Sequence, residues 1–293
     1  MYVAKIMKHR WEEEPISGIG KGFDGTFAIF FYGCNMRCVY CQNSKISRWH
    51  VGSPAKMNLT PEELSDKIIK AEAENVASVS FITGVLYIDE IVETIKLAKS
   101  KGSKLPMVYN SSGYETVTQI KKLDGLIDIY LPDFKYFDNE LGKKYSGVPN
   151  YTDVAKECVA EMYRQITMLH SGKHYSRSHS SRLQDDDCST DCMGELCEPS
   201  LIVRQLVLPG HTENSKQIIK YLYETYGNDI CLSIMSQYTP MPKNEGIETF
   251  PELMRKLTKR EYDKVVDYAL DLGVKNAYIQ EGDVAKESFI PNF

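Results

Sequence analysis

The 293-residue chain lacks any apolar run close to the ~20 residues that a membrane-spanning helix needs. Its N-terminus, MYVAKIMKHRWEEEP, has no apolar signal-peptide core and is charged from Lys5 onward. It has no long basic stripe and a net charge of −5, so nucleic acid is not the expected partner. These absences predict a cytoplasmic protein that binds neither membrane nor nucleic acid.

Cysteine is present at eight positions, and three of them are packed into one short segment. The segment GCNMRCVYCQN at 33–43, called the cysteine loop below, holds Cys34, Cys38 and Cys41 in a C-x3-C-x2-C spacing. In a chain of this size such clustering indicates intracellular metal binding rather than a disulfide framework. The segment therefore predicts a compact inorganic centre.

Thiolate ligands select zinc, copper(I) or iron–sulfur clusters. Structural zinc takes four ligands, usually in two separated pairs, and no second nearby CxxC or following His pair accompanies the cysteine loop. A [4Fe–4S] cluster held by three cysteines would leave one iron without a protein ligand. A small molecule could then chelate that open iron.

Apolar segments alternate with helical patterns along the chain. The run TFAIFFY at 26–32 directly precedes the cysteine loop and is typical of a strand buried on both faces. Further strands are predicted at 78–82, 106–109, 126–131, 201–208 and 230–235, with a short last one at 277–280. Between them, Thr60 and Thr258 begin helices with capping boxes to Glu63 and Glu261.

This alternation predicts an α/β fold, a partial (β/α)6 TIM-type barrel that is open on one side. In such barrels the chemistry lies at the carboxyl ends of the strands, where the cysteine loop falls. The predicted organisation is a glycine-rich, flexible lead-in at 1–24, the barrel at 25–280 and a tail at 281–293. A polar insertion at 171–199 interrupts the barrel and has too few aliphatic residues to form a core.

The other cysteines divide into two kinds. The insertion contains a C-x3-C-x4-C spacing formed by Cys188, Cys192 and Cys197. Two interpretations stay open for it: a second metal site, either an auxiliary iron–sulfur cluster or zinc, or a mobile loop with free thiols. Cys158 and Cys231 fall on apolar helix and strand positions, so we predict that they pack in the core.

The cysteine spacing, with an aromatic residue (Tyr40) before the last cysteine, resembles the signature of the radical S-adenosylmethionine (SAM) superfamily. Within it, the chain is most similar to glycyl-radical-enzyme activating enzymes, in particular uncharacterised homologues of the pyruvate formate-lyase activating enzyme. The similar segments are GFDGTFAIFFYGCNMRCVYCQN, VYNSSGY at 108–114, LPDFKYFDNELGKKYS at 131–146 and VRQLVLPGH at 203–211. The resemblance runs from about residue 22 to 272, broken by the insertion.

This resemblance implies a [4Fe–4S] cluster bound by the three cysteines of the cysteine loop, with SAM chelating the open iron. It implies SAM contacts at Asn43, Asp133, Lys135 and Arg204. Asp133 and Lys135 follow the fourth predicted strand two residues apart, so they point the same way and suit a zwitterionic amino acid. From the spacing alone, a surface ion pair is the alternative.

The chain departs from the superfamily at two strand ends. The usual Gly-Gly-Glu after the second strand is replaced by Thr83-Gly84-Val85, so SAM contacts are expected from the backbone carbonyls of Thr83 and Gly84. After the sixth strand, Gln237 and Tyr238 stand where the activating enzymes have a SAM-contacting histidine. Either could substitute for it, or both could simply line the barrel.

The resemblance implies reductive cleavage of SAM to methionine and a 5′-deoxyadenosyl radical, which abstracts hydrogen from a substrate. An external one-electron donor of the flavodoxin or ferredoxin type is then required. A glycyl radical enzyme is one expected substrate, and a small molecule or peptide is another. The third hypothesis, a non-catalytic iron–sulfur or zinc protein for redox sensing or electron transfer, leaves the SAM contacts without a use. No residue is assigned to hydrogen transfer itself.

Overall fold

Parallel strands form the centre of the fold in the computed structural model, which describes residues 1–170 and 200–280. The strands are β1 Tyr2–His9, β2 Thr26–Phe31, β3 Met57–Asn58, β4 Ser78–Ile82, β5 Met107–Ser111, β6 Ile129–Pro132, β7 Ile202–Leu206, β8 Cys231–Met235 and β9 Ala277–Ile279. One sheet has the order β3-β1-β2-β4-β5-β6, and a second has the order β7-β8-β9. Parallel bridges, Tyr130 to Leu201 and Asp133 to Arg204, connect the two sheets.

Helices follow most of the parallel strands. They are α1 Glu14–Ser17, α2 Ser44–Ser47, α3 Pro61–Glu72, α4 Ile88–Ser100, α5 Val117–Lys121, α6 Asn139–Ser146, α7 Tyr151–His170, α8 Thr212–Tyr226 and α9 Lys259–Leu272. Both predicted capping boxes are present, at the start of α3 and of α9. No helix in the described part of the chain is long and apolar enough to cross a bilayer.

The predicted fold class is confirmed: β2 and β4 to β8 are the six predicted strands, in parallel order and joined by helices. The short strand predicted at the end of the barrel is β9, which pairs with β8. The predicted insertion at 171–199, with Cys188, Cys192 and Cys197, lies outside the described residues, and so does the predicted tail at 281–293. Cys158 and Cys231 are both buried, as predicted.

The N-terminal segment differs from its prediction. Instead of a flexible lead-in, residues 2–9 form β1, which pairs antiparallel with β2, and β3 pairs with β1 in turn. Together β1 and β3 cover the edge that β2 would expose in an open barrel, and an uncovered edge is prone to pair with other chains. Local sequence does not show this pairing, because it depends on the free edge of a strand further along the chain.

The strands present two faces. One packs against the helices through residues such as Phe81, Tyr109, Tyr130 and Val203. The opposite, concave face carries Val108, Ile129, Leu131, Ile202 and Cys231, and Ile16 of α1 packs against them. Ser78 Oγ donates a hydrogen bond to the Ile16 carbonyl at 2.7 Å. Thus α1 enters the barrel and closes its floor.

Candidate active site

The cysteine loop is fixed in place by the end of α6. The Arg37 and Val39 amides donate to the carbonyls of Ser146 and Tyr145, each at 2.9 Å. On the other side, Asn244 Nδ2 donates to the Val39 carbonyl at 3.0 Å. The loop therefore presents its side chains from a backbone that is bound on two sides.

The three cysteines of the loop line one cavity of about 490 Å³, within the usual size range of small-molecule sites. Their sulfurs have different hydrogen-bond partners. Ser146 Oγ donates to Cys38 Sγ at 3.0 Å. The Met36 amide donates to Cys34 Sγ at 3.4 Å, and Ser47 Oγ lies 3.4 Å from Cys41 Sγ.

The thiols of the loop also affect one another electrostatically. Burial, with a smaller contribution from charge on Cys41, raises the pKa of Cys34 to about 11 and the pKa of Cys38 to about 12. The metal-free thiols of Cys34 and Cys38 are therefore protonated at neutral pH. Metal ligation requires thiolates, so binding of a metal centre would release these protons.

The donor set, three thiols on one loop, fits an iron–sulfur cluster. In residues 1–170 and 200–280, no three His, Cys, Asp or Glu side chains form a group that could hold one metal ion. A tetrahedral zinc would bring its sulfur ligands to about 3.8 Å from one another, given Zn–S bonds of about 2.3 Å. A cluster binds its cysteines through different irons and accepts sulfurs that are further apart. Three cysteines that line one cavity supply the thiolate ligands that such a cluster takes.

Asp133 and Lys135 directly follow β6 and line the same cavity. The Lys135 ammonium donates to the Asp133 carboxylate, and their side chains are only 16% and 25% exposed, so they are not an exposed surface pair. Burial lowers the pKa of Lys135, but the negative charge and the hydrogen bond of Asp133 outweigh it and raise the pKa overall. The pair is thus a charged, partly buried group that faces the cysteines.

The backbone around Asp133 depends on a close approach of Gly113. A Cβ at Gly113 would lie 2.1 Å from the Asp133 carbonyl oxygen, and Gly113 has a left-handed φ of +72°. The hydroxyl of Tyr151 accepts a hydrogen bond from the Lys135 amide at 2.9 Å. The segment VYNSSGY therefore positions the Asp133–Lys135 pair as well as forming β5.

Arg204 lines the cavity, but its guanidinium is held by two acids that the sequence analysis did not find. Its Nε donates to Glu13 Oε1 at 2.9 Å, and its terminal nitrogen donates to both Glu12 and Glu13. The three side chains are 14%, 4% and 8% exposed for Arg204, Glu12 and Glu13. The acidic run WEEEP was visible in the sequence, but nothing in it indicated that the segment enters the barrel beneath β7.

Burial and the neighbouring charges shift the pKa values of the acids and the histidine around Arg204. Burial raises the pKa of Glu13, but the positive charge and hydrogen bond of Arg204 lower it more, so the pKa is below its usual value. His9 Nε2 lies 3.9 Å from Glu12, and burial lowers the pKa of His9. The lowered pKa values keep Glu13 ionised and His9 uncharged at neutral pH, so Arg204 is paired beside a neutral imidazole.

The residues after β4 occupy an unusual backbone conformation. Thr83 lines the cavity and has a φ of +57°, which is strained for a β-branched residue and costs roughly 1–3 kcal/mol. Its amide donates to the Asn110 carbonyl at 3.0 Å, which fixes the turn. Gly84 lies behind the cavity wall, where the side chains of Ile91 and Phe31 fill the space next to its Cα. The strain marks Thr83 as the residue at this strand end that faces the site.

Asn43, Gln237 and Tyr238 complete the predicted set, and all three line the cavity. The Tyr238 hydroxyl donates to the Leu253 carbonyl at 2.6 Å, so its hydrogen is already used. The backbone carbonyl of Gln237 accepts from Gln42 at 3.3 Å and holds that segment against the cysteine loop. Of the two residues after β8, Gln237 has the side chain that remains suited to a ligand.

Comparison with known proteins is consistent with this geometry. The family model of the radical SAM superfamily matches residues 28–169, which include the cysteine loop and the strands β4 to β6. This match supports the radical SAM superfamily for the part of the chain that it covers. The superfamily implies a [4Fe–4S] cluster and SAM as cofactors, in agreement with the three-cysteine donor set and the cavity beside it.

Two relatives and one solved structure are similar to this chain over larger or smaller parts of its length. An uncharacterised protein of Methanocaldococcus jannaschii is 29% identical over 255 residues, 84% of this chain and 64% of the relative. The pyruvate formate-lyase-activating enzyme of Clostridium pasteurianum is 28% identical over 124 residues, 41% of this chain and 49% of that enzyme. The chain thus spans less than two thirds of the length of these relatives.

The structure of Streptococcus suis SuiB bound to S-adenosylmethionine superposes with a TM-score of 0.53 at 10% identity. The match covers 87% of this chain and 52% of SuiB. At this identity the likeness shows the fold and not the reaction. It supports the partial barrel derived from the strand order.

Proposed function

We propose that this radical SAM enzyme binds its cluster through Cys34, Cys38 and Cys41 and binds SAM against Asp133 and Lys135. The observation that carries the proposal is that all five side chains line one cavity at the carboxyl ends of the parallel strands. When bound, the cluster supplies the electron that cleaves SAM into methionine and a 5′-deoxyadenosyl radical.

The Asp133–Lys135 pair suits the amino-acid end of SAM. The Lys135 ammonium would pair with the carboxylate of SAM, and the Asp133 carboxylate would accept hydrogen bonds from its amino group. Charge-assisted hydrogen bonds of this kind are about twice as strong as neutral ones. Asn43 and Thr83 line the same cavity and would add polar contacts.

Apolar residues form another part of the lining and would keep water away from the reacting groups. Phe31, Met36 and Ile82 line the cavity and are each buried in the protein. Ile16 and the paired Arg204 group close the barrel below it. Excluding water protects a reactive radical from side reactions. These residues aim and shield the radical rather than take part in its formation.

A glycyl radical enzyme is the proposed substrate, with a one-electron donor of the flavodoxin or ferredoxin type as the second partner. The support is the four similar sequence segments and the relative from Clostridium pasteurianum, which bears the name of a pyruvate formate-lyase-activating enzyme. Both relatives are longer than the matched regions, so the likeness motivates this choice of substrate and the experiment below tests it. Hydrogen abstraction from a glycine would leave a carbon-centred radical on the partner and 5′-deoxyadenosine in this cavity.

The experiment is SAM cleavage by anaerobically reconstituted protein with dithionite, with 5′-deoxyadenosine measured by liquid chromatography. Cys38→Ala should abolish product formation, and Cys231→Ala is the matched control because Cys231 is buried away from the cavity. Turnover that persists in Cys38→Ala would contradict the proposed site. If the protein forms 5′-deoxyadenosine but installs no glycyl radical, detected by electron paramagnetic resonance (EPR), on any candidate partner, the proposed substrate is wrong while SAM cleavage stands.

A further inference from the structure

A buried chain of hydroxyl groups ends on one cluster ligand. The Tyr40 hydroxyl lies within hydrogen-bond distance of the Tyr136 hydroxyl, which is 2.6 Å from Ser146 Oγ, and Ser146 Oγ lies 3.0 Å from Cys38 Sγ. Each member is almost completely buried: Tyr40 is 7% exposed, and Tyr136 and Ser146 are 0% exposed. This chain of hydroxyl groups therefore donates to the Cys38 sulfur without competition from water.

The direction of the hydrogen bonds follows from the sulfur. A metal-bound Cys38 thiolate can only accept hydrogen bonds, so Ser146 must donate its single hydroxyl hydrogen to that sulfur. Ser146 must then accept from Tyr136, and Tyr136 must accept from Tyr40. The three hydroxyls thus point the same way, and aligned hydrogen bonds polarise one another and strengthen the last one.

The three cluster ligands are not equivalent in this respect. Ser47 Oγ approaches Cys41 only to 3.4 Å, and Cys34 accepts from a backbone amide at 3.4 Å. Cys38 alone among the three has a partner at 3.0 Å with further hydroxyls behind it. Ser146 is also the last residue of α6, and its carbonyl accepts a hydrogen bond from the Arg37 amide. Both the backbone and the side chain of Ser146 therefore hold it against the cysteine loop.

We propose that Ser146, supported by Tyr136 and Tyr40, sets the reduction potential of the cluster by donating a hydrogen bond to the Cys38 sulfur. Reduction adds one negative charge to the cluster and its sulfurs, so a donor at Cys38 stabilises the reduced form more than the oxidised form. Hydrogen bonds to the sulfurs are an established determinant of such potentials. Ser146 is thus a positioning residue that acts through Cys38, and the inference rests on the proposed cluster site.

The test is the midpoint potential of the reconstituted full-length protein, measured by EPR-monitored redox titration. Ser146→Ala should lower the equilibrium constant for one-electron reduction about tenfold, a shift of about −59 mV for a one-electron couple. Tyr136→Phe keeps the bond to Cys38 but removes the donor behind it, so its shift should be negative and smaller. Iron per chain should equal that of the unmodified protein in both variants.

Two controls separate this effect from general disturbance. Ser215→Ala removes a buried hydroxyl that has no hydrogen-bond partner within residues 1–170 and 200–280 and lies outside the cavity, so the cluster potential should be unchanged in this variant. Ser47→Ala removes the weaker contact to Cys41 and should shift the potential less than Ser146→Ala. An unchanged potential in Ser146→Ala with a full iron content would overturn the proposal. If Ser146→Ala does not assemble a cluster, an unchanged potential in Tyr136→Phe overturns it instead.

Failure of this proposal and failure of the proposed function are distinguishable. A protein that forms 5′-deoxyadenosine but shows no shift in either variant retains the radical SAM assignment and loses only the role of the hydroxyl chain. A protein that binds no iron loses both.

Discussion

Arg204 offers the sharpest test of how the barrel floor is held together. Arg204→Ala would leave Glu12 and Glu13 as two carboxylates that are 4% and 8% exposed, without their counter-charge. Breaking a buried ion pair by removing one partner costs about 3–5 kcal/mol, because the remaining charge is left uncompensated. Domain stabilities are about 5–15 kcal/mol, so this is a large share of the free energy of unfolding.

The cost should depend on pH with a defined sign. In the unmodified protein the pKa of Glu13 is lowered by Arg204, so its stabilisation is present above the unfolded value of 4.5 and is lost as pH falls through the folded pKa. Without the guanidinium, burial raises the pKa of the carboxyl instead. The variant then loses stability as pH rises from 4.5 towards that raised pKa. The difference between the two proteins should therefore grow with pH.

The assay is urea denaturation followed by circular dichroism at pH 5 and pH 8. Arg164→Ala is the matched control, since Arg164 also pairs with two carboxylates but is 39% exposed and should cost only about 0–1 kcal/mol. Arg204→Ala combined with Glu13→Gln should recover part of the loss, because one buried charge is removed. A cost for Arg204→Ala no larger than that for Arg164→Ala, or one independent of pH, would refute the reasoning.

Three further outcomes follow from the site. Asp133→Ala should weaken SAM binding about 10- to 100-fold in titration calorimetry, because a hydrogen bond to a charged group is worth about 1.5–3 kcal/mol. Iron per chain should stay constant in this variant. Loss of both SAM binding and iron would indicate a structural role for Asp133. Gly113→Ala should destabilise the fold more than Gly102→Ala, because both glycines are left-handed but only Gly113 meets a backbone oxygen, at 2.1 Å; equal costs would contradict the close approach. Burial raises the pKa of Glu115 above 4.5, so the protein should lose stability as pH rises from 4.5 towards that raised pKa. Glu115→Gln should flatten this loss in denaturation curves between pH 5 and 8, and parallel pH profiles for the two proteins would argue against a raised pKa of Glu115.

Much of the architecture was predictable because its signals are local. The apolar strand segments, the capping boxes at Thr60 and Thr258, and the buried Cys158 and Cys231 each follow from a few neighbouring residues. The gathering of strand-end residues at one cavity follows from parallel topology, which brings carboxyl ends to one edge. Spacing in the sequence therefore indicated the cysteine loop and its position after a strand.

The features that could not be predicted from the sequence depend on contacts between distant segments. Arg204 and Glu13 are 191 positions apart, so neither residue carries a sign of the other. Ser146 and Cys38 are 108 positions apart, and α6 was not predicted as a helix. The left-handed backbone of Thr83 is likewise invisible, since its residue type argues against that conformation. The SAM contacts of the predicted residues stay predictions.

The central claim is that three cysteines hold one cluster with an iron left open for SAM. The direct measurement is metal quantitation on anaerobically reconstituted protein, with EPR of the reduced sample before and after SAM is added. The account predicts about four irons per chain at this site and a reduced-cluster spectrum that changes when SAM binds; additional iron or zinc would report a second site at Cys188, Cys192 and Cys197. A reduced-cluster spectrum that SAM leaves unchanged, or zinc in place of iron, would contradict it.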